Sequence, residues 1–368
     1  MKKLFFVFLL FLFVFPVRAE PVWDAADNVS EEGLSHVQEI LPDFSFREAA
    51  RSLSQGTEGG LLHLFWEGLV SFALGQIHTS LSVPITIAGL AVLSSLLGHL
   101  GGEKGAGEIG FFLTYASCIG LAAAAVGDAA ELAQRTAQDM ATFTGAALPA
   151  LAMLSLSAGS VGAAGIHPAL LSAGAAASLL VTRVGIPAMY ISLSLSLVGN
   201  LSSQKSLRML SAIFQRVSLW LVCGSLTLFA AVIGVTGYAA GTLDGITAKG
   251  IKYAVSGLIP VLGNILSDAA EAVSFSAITI KNAAGAAGIL FLLLLTLYPV
   301  IKTAITSLLY RLASAIASAA CDSRIANALQ DMADMLSALA GMTAAAGVLS
   351  MLTCGMLTRF ADMGVMLR

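Results

Sequence analysis

Polar residues interrupt this chain so rarely that its organisation is set by where they fall. Apolar runs cover 81–100, 109–126, 145–160, 166–182, 186–201, 217–240, 284–301 and 335–357. A membrane-crossing helix needs about 20 such residues to pass a hydrocarbon core of about 30 Å. The runs therefore predict an all-α, polytopic membrane protein with seven or eight transmembrane spans. The stretches from 145 to 201 are short and rich in Gly, Ala, Ser and Pro, which suits re-entrant pieces whose backbone is covered by protein. Residues 61–78, LLHLFWEGLVSFALGQIH, are apolar but carry His63, Glu67 and His78 beside Phe65 and Trp66. Aromatics gather at the membrane–water boundary, so an interfacial helix is expected there rather than a span.

Two more polar stretches read as amphipathic helices: GDAAELAQRTAQDMATFTG at 127–145 and TLDGITAKGIKYAVSGL at 242–258. Each runs into a phrase of small residues, leucine and proline, GAALPALAML at 145–154 and SGLIPVLGNIL at 256–266. Pro149 and Pro260 occupy matching places, as an internal repeat with two interrupted helices would put them. Proline removes a backbone donor and crowds the preceding turn, so helix breaks are expected at both, the second aided by Gly263. Alternating eight spans from an outside start at residue 60 leaves 127–144 outside, with Asp128, Glu131 and Asp139 against Arg135 alone. The same count leaves SSQKSLRMLSAIFQR, 202–216, in the cytosol with Lys205, Arg208 and Arg216 and no acid, as the positive-inside rule asks. It also sends the C-terminus outside.

Composition strengthens the membrane reading. Hydrophobic residues make up 57% of the chain and charged ones 11%, with a mean hydropathy of +0.87, whereas a soluble domain carries about 25% charged residues. The net charge of −3 lacks the basic footprint of a nucleic-acid binder. Cys118, Cys223, Cys321 and Cys354 are scattered, with no pair at metal-ligand spacing, and read as small hydrophobes.

At the N-terminus Lys2 and Lys3 precede an apolar run from Leu4 to Val17, and Val17-Arg18-Ala19 supplies a small-residue site. This is the layout of a signal peptide over residues 1–19, with an uncleaved anchor as the alternative. Either leaves the next residues outside the cytosol. Residues 20–60 carry acids from Glu20 to Glu58 against Arg47 and Arg51 alone, and loops poor in Lys and Arg face away from the cytosol. They form an acidic extracytoplasmic arm, with a helix around Phe46–Leu53 or as a solvated tether. The multi-span membrane domain then occupies 61–368.

The search for chemistry returns little. The chain has no phosphate-binding loop, no H-E-x-x-H, no G-x-S-x-G and no dinucleotide fingerprint. His36, His63, His78, His99 and His167 are isolated, as interfacial histidines are. The sequence thus offers no catalytic, metal or cofactor site, and no nucleotide site to power transport. Gly237, Gly241 and Gly245 recur every fourth residue; on a helix they form a groove for close helix packing, which would also serve self-association. Asp268 and Glu271 sit three apart in an otherwise apolar stretch. They read either as pore-lining or proton-relay carboxylates, or as the acidic cap of a helix restarting after Pro260 and Gly263.

The block GVTGYAAGTLDGITAKGIKYAVSGLIPVLGNILSDAAEAV, running through Asp268 and Glu271, resembles the stage III sporulation protein AE family. The matching parts are Gly234 to Gly237, the amphipathic helix with Lys249 and Lys252, Gly257 to Gly263, Asp268 to Glu271, and Lys281-Asn282 before a glycine-bearing span. The resemblance implies an integral membrane subunit of a channel-like, secretion-like assembly joining mother cell and forespore, seated in the mother-cell membrane. It implies a separate ATPase and ring-forming subunits as partners, and it assigns no catalytic residue. A stand-alone secondary transporter using Asp268 and Glu271, and a non-conducting assembly scaffold, are the competing functions.

Overall fold

The computed structural model describes residues 28–41, 58–100, 104–157, 161–202, 205–258, 263–320 and 323–366, and helix accounts for nearly all of them. The elements are α1 (Glu31–Ile40), α2 (Glu58–Ser80), α3 (Ser82–Leu100), α4 (Lys104–Ser157), α5 (Val161–Leu179), a π-helical turn (Leu180–Gly185), α6 (Ile186–Ser202), α7 (Lys205–Leu258), α8 (Gly263–Ala320) and α9 (Ser323–Met366). Among the described residues six helical stretches are long and apolar enough to cross a membrane: Trp66–Leu93, Phe112–Leu156, Pro168–Asn200, Ser206–Thr236, Ile278–Ala319 and Ser323–Met356. The all-α, polytopic class stands.

The helices are fewer and longer than the sequence pattern suggests. Expected spans 109–126 and 145–160 share α4, which continues through Pro149 without a break. The residue four before it, whose carbonyl the proline ring crowds, is Gly145, with nothing packed where a Cβ would be. Residues 61–78 join α3 across the single turn residue Leu81, so the interfacial helix expected there is instead part of an apolar stretch. The two phrases around Pro149 and Pro260 also take different structures. The first lies inside one helix, whereas the described part of the second belongs to two helices, α7 up to Leu258 and α8 from Gly263.

The 54 residues of α4, 58 of α8 and 44 of α9 span roughly 80, 87 and 66 Å at the helical rise. Each exceeds the thickness of a hydrocarbon core, about 30 Å. These three helices form the frame, and two buried clusters lie one beyond the other along it. One gathers Phe143, Leu148 and Leu151 of α4 with Phe291 and Leu295 of α8. The other gathers Cys118 and Val126 of α4, Tyr310 of α8, and Met332 and Leu336 of α9.

The pair α8–α9 is an antiparallel hairpin, with Ser314 Oγ donating to Ala326 O at 2.8 Å and Ser307 Oγ to Ala333 O at 2.7 Å. Farther along the same pair, a Cβ on Gly347 would stand 2.2 Å from Thr296 Oγ1. Lipid supplies no hydrophobic force between helices, so close approach over small residues and interhelical hydrogen bonds do the holding.

The outer face of α7 shows what remains for lipid. Met209, Ile213, Val217, Trp220, Leu228 and Val235 are exposed along it. Its opposite face buries Ser211, Ser218 and Ser225 at intervals of seven. The helix is amphipathic with its apolar side outward, as a membrane solvent demands.

Candidate functional site

The buried polar face of α7 meets α6. Ser192, Ser196 and Asn200 recur every fourth residue of α6, so they stack on one side of that helix, and all three are buried. Ser192 Oγ donates to Ser211 O at 2.9 Å and Ser211 Oγ returns a bond to Ser192 O at 2.7 Å. Ser218 Oγ donates to Gly185 O at 2.7 Å, tying α7 to the π-helical turn. That turn has a local cause. Pro187 follows it, and a wider turn relieves the clash between a proline ring and the carbonyl four residues back.

The far end of the α6 stripe faces α9. Asp331 Oδ2 accepts from Ser196 Oγ, and from Asn200 Nδ2 at 2.6 Å. One turn on, Asp334 Oδ1 accepts from Arg311 Nη2 at 3.0 Å and from Gln330 Nε2 at 3.1 Å. Tyr115 of α4 donates to Leu197 O at 3.0 Å, bracing α6 from the other side. Between these groups lies a cavity of about 40 Å³ lined by Ser192, Ser196, Ser211, Gln215, Asp331 and Asp334 together with apolar side chains. Four helices thus converge on two carboxylates with unlike partners: Asp334 holds an arginine, Asp331 holds neutral donors.

A second polar region lies where the N-terminal arm docks. Ser30 caps α1 by accepting from Gly33 N at 3.0 Å, and its own hydroxyl donates to Asp139 Oδ2 of α4 at 2.8 Å. Arg135 forms ion pairs with Glu32 of the arm and Glu131 of its own helix. His36 stacks on Tyr298 of α8 with ring centroids 3.9 Å apart and planes 11° apart, and Lys302 Nζ sits 5.5 Å from the same ring. Val29, Val37 and Ile40 are buried beneath.

Burial in this clasp pushes the His36 imidazole below its ordinary value; Lys302 adds to the shift, while Glu32, Glu39 and Asp139 oppose it. The described part of the arm is therefore a docked helix, not a solvated tether. Its contacts also correct the span alternation. Counting eight spans puts the end of 284–301 on the membrane face opposite the arm, yet Tyr298 and Lys302 lie against it, because α8 is one long helix.

The residues singled out by sequence fall elsewhere. Pro149 is exposed within α4. Pro260 lies outside the described residues, as do the signal peptide 1–19 and the expected helix at 46–53. Gly263 opens α8, so Asp268 and Glu271 sit beyond its first turn, and the capping role is excluded for them. Gly237, Gly241 and Gly245 lie within α7. Asp331 and Asp334 escaped the sequence reading although they carry the same three-residue spacing as Asp268 and Glu271. The available signal was the row Ser192, Ser196, Asn200, a polar line on a helix otherwise made for lipid.

Comparison with known proteins supplies the family. A family model described as Stage III sporulation protein AE matches residues 44–361. This chain belongs to that family. Stage III sporulation protein AE of Bacillus subtilis (strain 168) is 30% identical over 233 residues, which cover 63% of this chain and 58% of that protein. The matched region is thus less than two thirds of that relative's length. No solved structure matches the chain. The resemblance read from Gly234 to Glu271 holds at the level of the family, and the match extends far beyond that block. Stage III sporulation protein AE membership ties the protein to sporulation, and the family is one of sporulation proteins rather than of known enzymes.

Proposed function

We propose that this protein is an integral membrane subunit of the channel complex linking mother cell and forespore, needed for endospore development. The observation that carries the reading is the family match over residues 44–361. The six apolar helical stretches supply the means of residing in a membrane. In this reading the protein sits in the mother-cell membrane with its N-terminal arm on the extracytoplasmic side. With no nucleotide motif in the sequence, work would come from a separate ATPase, and ring-forming subunits would complete the conduit. Pro260, Gly263, Asp268 and Glu271 would form a gate or a subunit contact where α7 gives way to α8. Gly237, Gly241 and Gly245 would let a neighbouring helix, in this chain or a second copy, approach closely.

Deleting the gene in its own sporulating host tests the reading. Heat-resistant spores should be lost, and affinity capture of the full chain should recover an ATPase and ring-forming sporulation proteins. Normal spore yield in the deletion strain would sink the proposal. A stand-alone secondary transporter is the second reading, favoured by the buried polar site at Asp331. It predicts that the purified protein alone moves solute in liposomes.

A further inference from the structure

We propose that the groove between α7 and the π-helical turn holds one anionic phospholipid, its phosphate on Arg216 and an acyl chain lying past Trp220 and Gly224 to Leu228. The proposal is independent of the sporulation role. The groove has a volume of about 470 Å³ and is lined by Leu180 of the turn and by side chains of α7. That lining is apolar apart from Ser225 and one charged residue, Arg216. Ser225 Oγ already donates to Val222 O at 2.8 Å, within its own helix. Arg216 is exposed, and among the described residues no carboxylate pairs with it.

Gly224 supplies a second, separate observation. A glycine inside a membrane helix usually marks the close approach of another helix. A Cβ on Gly224 would meet nothing within 4 Å, so the described chain leaves this gap unused. Trp220 and Leu228 stand exposed one turn to either side of it, and the three form a notch on one face of α7. A neighbouring helix would need small residues along its whole line of approach, whereas this line carries Trp220, Leu228 and Val235, all exposed. A flexible acyl chain can bend through the notch where a rigid helix cannot. An adjoining apolar cavity of about 370 Å³ between α5 and α7 shares Leu180, Ser225 and Leu228 with the groove, which leaves room for the second chain of the same lipid.

Charge and depth select the headgroup. One arginine with no acid beside it matches one phosphodiester, whose oxygens a guanidinium can hold two at a time. Trp220 lies one turn beyond Arg216, and tryptophan collects at the level of the headgroups. The segment 202–216 leading up to it is basic, with no acid. Basic pockets between membrane helices bind anionic headgroups on this principle. From Arg216 to Leu228 the helix rises about 18 Å, close to one leaflet's share of a hydrocarbon core about 30 Å thick.

Fluorescence quenching in phosphatidylcholine nanodiscs tests this on the full-length protein, with Trp23→Phe and Trp66→Phe so that Trp220 alone reports. Phosphatidylglycerol brominated on its acyl chains should quench Trp220 at about one fifth of the mole fraction that brominated phosphatidylcholine needs, the preference one arginine confers. Arg216→Gln should abolish that preference, and Gly224→Leu, which fills the notch, should remove it too. Arg208→Gln should keep it, since Arg208 packs toward Gly199 of α6. Inorganic phosphate should not compete. Equal quenching by the two lipids would overturn the proposal, as would a preference that survives Arg216→Gln or is displaced by free phosphate. So would the absence of quenching by either lipid together with a doubled particle mass, which would put a second copy of the chain on this face. If the Trp220-only protein does not fold, native mass spectrometry of the unaltered chain decides. One retained phosphatidylglycerol that is lost in Arg216→Gln supports the site, and none retained overturns it.

Discussion

The arm clasp and the α6–α7–α9 site are built from the same kinds of side chain and hold together for different reasons. In the clasp the charged groups meet in the open, with Arg135 and Glu32 each about half exposed. Water and salt weaken such pairs until they contribute little. What fixes α1 is close approach. A Cβ on Gly68 would stand 2.2 Å from the Ile40 carbonyl, and one on Gly33 would stand 2.6 Å from Asp139 Oδ2. At the α6–α7–α9 site the ranking reverses. Ser192, Ser196, Asn200 and Ser211 are buried, so each hydrogen bond lost there leaves a group with no water to turn to. Burial, not residue type, sets the weight of a polar contact in this protein.

The largest effect should come from Asp331→Ala. It strands the Ser196 hydroxyl and the Asn200 amide, at about 1–3 kcal/mol for each unsatisfied group, and thermal unfolding in micelles should report the loss. Next is Gly68→Ala. The new methyl meets backbone that cannot swing aside, at a cost of about 1–3 kcal/mol for overpacking. The effect should stay local: hydrogen exchange of α1 quickens while the melting of the frame is unchanged.

A smaller effect follows from pH. His36 has its folded value lowered from an ordinary 6.5, chiefly by burial, so the undocked arm binds the extra proton more readily. Docking is at full strength above 6.5 and weakens as pH falls below it. Protease cleavage of the arm should therefore rise on acidification, and His36→Phe should flatten the response. The smallest effect belongs to Glu32→Gln, which should leave both melting and α1 exchange unchanged. A large loss there would show that the clasp relies on its exposed ion pairs after all.

The sequence carried the membrane class and the family, because those depend on composition and on short local phrases. It failed where length decides. Dividing the chain into membrane-sized pieces put Asp331 and Asp334 in a connection between spans, whereas α9 begins at Ser323 and carries them inside a helix. The same habit split α4 at 127–144, and the proline argument expected a further break at Pro149, whereas one helix runs through both. The acids chosen instead, Asp268 and Glu271, lie in a phrase that is distinctive for its family but, from α8 beginning at Gly263, not for the capping geometry expected of it. Docking of α1 was beyond a local pattern, since it depends on Gly33 and Gly68 meeting partners that lie far apart in the chain.

The π-helical turn at Leu180–Gly185 acts as a phase setting between two helices that otherwise run on as one. Ile186 N bonds back to Val181 O, five residues earlier, where an α-helix would reach four. Each residue of an α-helix advances the direction of its side chain by about 100°. Shortening this turn by one residue would keep α6 helical and apolar enough for the membrane. It would also rotate Ser192, Ser196 and Asn200 away from α9 and put Leu193, Leu197 and Leu201 in their places opposite Asp331. The angular position of α6, and with it the chemistry open to Asp331, is thus encoded by a residue count in the turn that precedes α6.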